Sequence, residues 1–501
     1  MKSNFTRLLL SAVLLMCCTV MNAAIEPSEP QTDGNGNYEL STAAELYWFA
    51  NYVNSGNTSA NAILTEDITV NMGVLDSNGN LNSSTFETWT PIGNSSKLYA
   101  GTFNGNGHTI SGLYFNDQNQ SKIGLFGMTT AGAHIHNLGI KDSYFNGKDH
   151  VGGICGDFMN GLIENCWSEV VVYVTTGDGG GLTGSVFTNA VLKDCYTICS
   201  VAGSGSRGLV CGAQTGTIEN CYARQINSTG TTIAIGWTDS NAPTATNVEI
   251  KSQDAFASGE VCWLLNNGVT NGNQKWYQTL GTDVVPSLST LRGIIFKITN
   301  DQGECEYANA ECQHEQTYLS YQAAVCPTAT TTGRYGHWHC SHCSTDFMDE
   351  SCTIEATEEE LAVPVATNKE IWYTTTDNKK LTPNNKDVFG ATYDDANNVY
   401  EKGLGKITFD TDVTSIGAEA FDFCTSLQSI SIPSGVTSIG AEAFNYCTSL
   451  QSISIPSGVT SIGKSAFLSC TSLQSISIPS DSKLTSIGEG AFRGTWDLGA
   501  I

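Results

Sequence analysis

Basic residues are scarce: 23 Lys and Arg stand against 49 Asp and Glu, a net charge of −26. A surface so poor in positive charge excludes the usual modes of binding nucleic acid or an anionic membrane. Charge of either sign is also thin, at 14% of residues, so the chain is not an acidic disordered tail. Its surface must be built from Asn, Ser, Thr and Gly, which suits an extracellular protein that meets sugars or other proteins. Long apolar runs are missing after Val20, and nothing later approaches the ~20 residues of a spanning helix. The one such run, Leu8–Val20, follows Lys2 and Arg7 and precedes Ala23 and Ala24. Residues 1–24 therefore read as a signal peptide that is cleaved on export, which makes the mature chain secreted or cell-surface. Asn22 sits where a small residue is preferred, and Met16 before Cys17 speaks against lipidation. Nucleophile signatures are absent too: no serine sits in a GxSxG turn, and GTFNGNGH lacks the lysine and helix of a phosphate loop.

What is present is repetition. VTSIGAEAF begins at Val413 and Val436, VTSIGKSAF at Val459 and LTSIGEGAF at Leu484, in steps of 23, 23 and 25 residues. The intervening phrase CTSLQSISIPSGVTSIG starts at Cys424 and Cys447 and recurs, modified, from Cys470. A constant period of this size marks a solenoid, in which each copy buries its apolar edge against its neighbours. Leu427, Ile430 and Ile432 fit the strand pattern of a leucine-rich repeat; Val436, Ile439, Ala443, Phe444 and Cys447 fill the other side. The last copy drifts into GTWDLGAI, which reads either as a minimal cap or as an early stop.

A looser repeat precedes it. IGLFG, GGICG, GGLTG and GLVCG begin at Ile123, Gly152, Gly180 and Gly208, at steps of 29, 28 and 28 residues. Each is followed by a second strand signal: HNLGI, ENCWS, KDCYT and ENCYA. Short strands between Gly and Asn turns predict a parallel β-helix over 37–250. Asn137, Asn165, Asp194 and Asn220 would stack as a polar ladder, Cys166, Cys195 and Cys221 as a thiol ladder, and Phe126, Cys155, Thr183 and Cys211 as an internal row. Before the coils, Thr42 and Glu45 form a capping box, and Leu46, Phe49, Ala50 and Val53 keep helical spacing, so a short helix would cap the N-terminal end. Residues 62–71 alternate as a strand. Residues 251–300, with a helix around 255–265 and an aromatic hairpin-like stretch, would close the far end. Residues 353–369 read as an acidic linker and 370–412 as the cap of the repeats at 413–501.

Of 18 cysteines, 16 remain beyond the signal segment. Many fall at repeat-equivalent positions, where stacked, buried, unpaired thiols explain them better than disulfides. The exception is a Cys- and His-dense insert at 305–352. Cys312-x-His314 and Cys340-x-x-Cys343 give two short ligand pairs 25 residues apart, the spacing of a structural zinc site. Disulfides are the alternative in an exported chain. His337, His339 and His342 are spare ligands.

Two resemblances follow from these motifs. From LSTAAELYWFANYVN through GTFNGNGHTISGLYF to GGICG and IENCW, residues 37–250 resemble the β-helical region of secreted bacterial surface proteins with GLUG-type motifs, and Phe256–Ser289 is similar to the segment that often follows. The phrase SIGxxAFxxCxSLxSIxIP makes the C-terminal part resemble BspA-like leucine-rich repeat proteins; the insert resembles a small module found between domains of such proteins. Together they imply a mainly β, multidomain solenoid protein: a right-handed parallel β-helix, a small Cys-rich module and a short leucine-rich solenoid. The function implied is adhesion or recognition of host proteins or polysaccharides, with Ser429, Ser431, Ser452, Ser454, Ser475 and Ser477 as a ladder of hydroxyls for a repetitive ligand. A β-helical polysaccharide lyase or hydrolase is the alternative. Glu164 and Glu219 share one outward position there, but two rungs (~10 Å) apart and with Lys193 between them. A structural spacer is the third reading.

Overall fold

The computed structural model describes residues 25–496 and 498; the signal segment read at 1–24 lies outside them. The chain forms two compact units, one running to Lys297 with Glu306–Glu311 added, the other made of Ile298–Cys305 and the residues from Cys312 on.

The first unit is a parallel β-helix. A 14-stranded sheet runs along it, and its long strands bend around the coil: His134–Gly147, Cys155–Val174 and Thr183–Gly203 lie in parallel register. Phe126, Cys155, Thr183, Cys211 and Ile235 occupy one register position, as the repeat predicts, and the first four are fully buried. The two-residue strands Val151–Gly152, Gly179–Gly180 and Arg207–Gly208 form a second small sheet. Glycine is required there because a Cβ on Gly180 would lie 2.2 Å from the Thr183 carbonyl oxygen. Asn137, Asn165, Asp194 and Asn220 all take left-handed backbone, with φ between 50° and 54°. Asn and Asp tolerate that corner better than other residues with a Cβ. The ladder therefore marks where every coil turns.

The N-terminal helix spans Ala43–Asn54, and both halves of the Thr42–Glu45 capping box are made. Its apolar face buries Leu46, Phe49 and Val53 against the first coils, with Phe49 edge-on to Tyr99 and Phe103. Residues 62–71 are not one strand: Ala62–Leu64 and Ile68–Thr69 flank a bend and pair with different neighbours, because the chain turns a coil corner there. The helix expected around 255–265 is broken into Gln253–Ala257 and Glu260–Leu265 by Gly259, whose φ is +92°. The segment after residue 251 does more than close an end. It covers an outward row of aromatics on the coil flank, Trp167, Tyr196 and Tyr222, with Phe256, Leu265 and Trp276. The Tyr196 hydroxyl donates to the Pro286 carbonyl at 2.8 Å, and Trp167 lies over Gly139, where a Cβ would meet the indole at 2.5 Å. A row of large apolar rings facing out of a coil needs such a cover.

In the second unit each leucine-rich copy contributes to two parallel sheets. Leu427–Ser431, Ser452–Ser454 and Ser475–Ser477 stack on one side; Ser415–Ile416, Ser438–Ile439, Ser461–Ile462 and Ser486–Ile487 stack on the other. Between them run the ring stack Phe421, Phe444, Phe467 and Phe492, with centroids 5.2–5.4 Å apart and all but Phe492 fully buried, and the buried row Cys424, Cys447, Cys470. Upstream, Glu370–Thr375 adds to the first sheet antiparallel to Leu427–Ser431, followed by Leu404–Thr408 and Asn398–Glu401. Residues 353–369 are not a free linker. They form a turn of helix, Glu358–Leu361, capped by Thr357, and a strand, Ala362–Val363, paired with Gly333–Arg334. Leu361 and Val363 are buried, which anchors a stretch whose charge alone suggested solvent. All sixteen cysteines among the described residues are free.

Candidate functional site

The outward side chains of the serine-bearing strands alternate with Ile430, Ile453 and Ile476, which are buried. Period-two geometry thus forces the serines to the opposite face. Ser429, Ser452 and Ser475 share one register position; Ser454 and Ser477 pair in another. The rungs are not equivalent. Ser429 shares a hydrogen bond of 2.7 Å with the Thr374 hydroxyl and lies 3.5 Å from Cys326 Sγ, while Ser431 sits opposite Trp372. Trp372 itself is buried beneath the insert, in a cluster with Val363 and Leu404. Ser452, Ser454, Ser475 and Ser477 are exposed. Where covered and open rungs meet, the strap around Cys326 and Thr330 borders a groove of about 470 Å³ floored by Ser431, Ser452 and Ser454. Composition gave no sign that the insert folds over this sheet.

The insert brings its four expected ligands together. The sulfurs of Cys312, Cys340 and Cys343 and one ring nitrogen of His314 all lie within 4.8 Å of one another. The Cys312 and Cys340 sulfurs are 3.8 Å apart, and Cys343 Sγ is 3.5 Å from His314 Nδ1. Cys340 ends the strand His337–Cys340, which pairs with Leu319–Gln322 on one side and Thr345–Phe347 on the other. The Phe347 ring stands edge-on to the His314 imidazole at 4.6 Å and fixes its plane. The spare histidines are engaged elsewhere: His337 with the Tyr335 carbonyl, His339 between Asp301 and Asp346, His342 against the Tyr318 ring.

In the coils the carboxylates have partners of their own. Glu164 faces His136 and Lys193 in register, bonds Lys193 Nζ at 3.0 Å and accepts from His134 Nε2 at 2.9 Å. Burial works against its charge, but Lys193 and His134 hold its carboxyl below the ordinary range. Glu219 lies one strand beyond Lys193. Glu164, Lys193 and Glu219 thus form a row of alternating charge, with the lysine between the two carboxylates. A second acidic group, Asp149, Asp157 and Asp178, surrounds His150, with Lys122 3.6 Å from Asp157. A third lines a pocket of about 270 Å³ with Lys141, Asp142 and Glu169. Asp142 is spent there on the Val74 and Leu75 amides, at 3.2 and 2.7 Å, and burial pushes the Glu169 carboxyl up. Sequence spacing gave no hint of this last pocket, because its walls come from residues 75–79, 141–142, 169 and 226.

Two units of stacked, in-register repeats define a solenoid protein. Its C-terminal solenoid is a BspA-type leucine-rich repeat region: residues 396–501 match the family described as "BspA type Leucine rich repeat region" in six copies, beginning inside the segment read as a cap. Of this chain, 167 residues are 29% identical to halomucin of Haloquadratum walsbyi, covering 32% of the chain and 2% of halomucin. Another 136-residue match is 30% identical to a "Putative Gly-rich membrane protein" of Evansella cellulosilytica, covering 26% of the chain and 14% of that protein. The chain thus spans only a small part of the curated relatives it matches. A Bacteroides ovatus crystal structure described as "a putative immunoglobulin A1 protease" aligns with 52% of this chain and 96% of its own, at 15% identity and a TM-score of 0.35, a likeness too loose to bear on function. Among the described residues no helix is long and apolar enough to cross a membrane.

Proposed function

We propose that this protein is an exported recognition protein of the cell surface that holds an extracellular protein or glycan on the open half of its serine sheet. The observation that carries the reading is the exposed pair of rungs, Ser452 with Ser454 and Ser475 with Ser477, in register beside a groove. Hydroxyls repeating at the ~4.8 Å spacing of strands suit a polymeric ligand with its own repeat, and each can donate and accept. The BspA-type repeats support placement at a surface. The acidic surface, at −26, favours neutral or basic partners.

The test is retention of purified protein on a panel of immobilised polysaccharides and matrix proteins, with polymer length recorded alongside. Ser452→Lys with Ser475→Lys should reduce retention at least ten-fold while the fold, followed by circular dichroism, persists. Retention that ignores both substitutions would overturn the reading. Shortened polymer would favour the β-helical carbohydrate-active enzyme, and Glu169→Gln would then be the informative variant, since Glu164 is already tied up by a cation.

A further inference from the structure

We propose that Cys312, His314, Cys340 and Cys343 bind one structural zinc ion, and that this ion closes the loop holding Ala324–Thr330 over the serine sheet. The donor set is three thiols and one imidazole, which selects zinc over the oxygen-seeking calcium and magnesium. Zinc bonds of ~2.3 Å to sulfur and ~2.0 Å to nitrogen place tetrahedral ligand atoms ~3.8 Å apart for two sulfurs and ~3.5 Å apart for sulfur and nitrogen. The observed separations are 3.8 Å between Cys312 and Cys340 and 3.5 Å between Cys343 and His314. Four protein ligands leave no open position, so the ion holds structure and does no chemistry.

The surroundings are built for it. The turn after Cys343 is tightened by Ser344, whose amide donates to the Cys340 carbonyl at 2.8 Å with φ at 55°. His314 is oriented by Phe347. Small β-rich modules of this size need such a clamp because their cores are slight.

The ligand pairs lie on either side of the strap in sequence. Between His314 and Cys340 the chain passes through Cys326, which touches Ser429, and returns through Arg334, whose backbone exchanges hydrogen bonds with Val325 at 2.8 and 2.9 Å. Fixing the two ends of this loop lowers the entropy lost when the strap is laid on the sheet. The metal would thereby decide which rungs are covered, and this second half rests on the recognition reading only for its meaning, not for its test.

Metal analysis of purified protein should find one zinc per chain, and cobalt exchanged into the site should give the spectrum of a tetrahedral thiolate complex. Cys312→Ser should abolish retention of the ion. Because that variant can also misfold, His314→Asn, which keeps three thiolates, provides the second measure: zinc should be lost to a competing chelator at ten-fold lower concentration or less. Chelation of the wild-type protein should raise the alkylation rate of Cys326 more than ten-fold while Cys447 stays protected. Protein that retains no zinc and shows these cysteines as disulfides by peptide mass spectrometry would overturn the assignment. Zinc bound with Cys326 no more reactive after its removal would overturn the strap. Neither readout involves a binding partner, so failure here and failure of the recognition reading are distinguishable.

Discussion

Both solenoids bury a row of cysteines, but the two rows are wired differently. In the β-helix, Cys166, Cys195 and Cys221 make their shortest bonds inside their own coil, to the carbonyl two residues earlier at 3.0–3.2 Å, and reach the neighbouring coil only at 3.4–3.9 Å. In the leucine-rich unit, Cys447 and Cys470 donate to the carbonyls of Phe421 and Phe444, at 3.1 and 3.0 Å, in the preceding copy. The backbone ladders differ as well. Cys155–Val174 pairs with Thr183–Gly203 along nearly its whole length, so neighbouring coils are joined by main-chain bonds. Neighbouring leucine-rich copies pair through strands of only two to five residues, and the main-chain bonds between those strands are scattered through turns, as from the Phe444 amide to the Ala466 carbonyl at 2.8 Å and from the Gly463 amide to the Ile439 carbonyl at 2.7 Å. Thiol donors are weak, so among side chains the ring stack adds most to the coupling.

The largest effect should therefore come from breaking that stack. Phe444→Ala removes the ring between Phe421 and Phe467 and should cost about 3–5 kcal/mol. Because stability in a repeat array is a sum of intrinsic and neighbour terms, the loss should also broaden urea unfolding of the repeats. An unchanged slope would show that the main-chain bonds, and not the rings, couple the copies. The β-helix counterpart is Asn220→Ala. Asn220 donates to Asp194 at 2.7 Å and to the Leu265 carbonyl at 3.2 Å, accepts from the Tyr222 hydroxyl at 2.7 Å, and holds φ at 51°. Its loss should cost about 1–3 kcal/mol with no change in slope. Asn220→Gly restores the backbone freedom but not the amide, so a full rescue by glycine would mean that the corner, not the bonds, requires Asn.

Such corners were legible in the sequence because few residues tolerate left-handed backbone, and the leucine-rich phrase was legible because it is written almost identically four times. That Cys312, His314, Cys340 and Cys343 come together was legible for a chemical reason: Cys and His at short spacing have few other uses. What escaped was packing between unlike segments. Nothing local says that Trp167, Tyr196 and Tyr222 face outward, or that residues 253–295 lie over them, since each aromatic reads equally well as interior. The charge of Glu358–Glu360 hid the buried Leu361 and Val363 beside it. Likewise the six serines look equivalent in sequence, and only the fold of a non-repeating insert makes two rungs open and one covered. Phe423 and Tyr446 were also passed over: both are exposed, stack at 4.8 Å and take left-handed backbone at a position where the last copy has Gly494.

Acid should separate the two solenoids next. Burial first, and then neighbouring His134 and Lys275 against Glu164, lower His136 to about 4. Above the unfolded value of ~6.5 both states are neutral and the contribution is intact; as pH falls toward 4 the unfolded chain takes up a proton that the folded one refuses, and stability is lost. His150 has the opposite sign. Burial opposes its charge, but Asp157 above all raises its pKa, so its contribution is present below ~6.5 and fades as pH rises through the folded value. The repeats from Val413 on contain no histidine and should stay flat across this window. Hydrogen exchange in peptides from 134–174 and 427–462 between pH 7 and 4 would read both at once. His136→Asn should remove the acid loss in the first set; a matching loss in the second would trace the effect to carboxylates instead.

The smallest effect lies within the serine sheet, and it bears directly on what that sheet is for. Ser429→Ala forfeits a half-buried bond to Thr374 and should cost about 1 kcal/mol. Ser475→Ala removes an exposed hydroxyl in the same register position and should stay within about 0.5 kcal/mol. A difference of this kind means the first rung is structural and the later rungs are held for something other than stability. Equal losses at both positions would mean that the hydroxyl row steadies the sheet throughout, and the open rungs would then need no ligand to explain them.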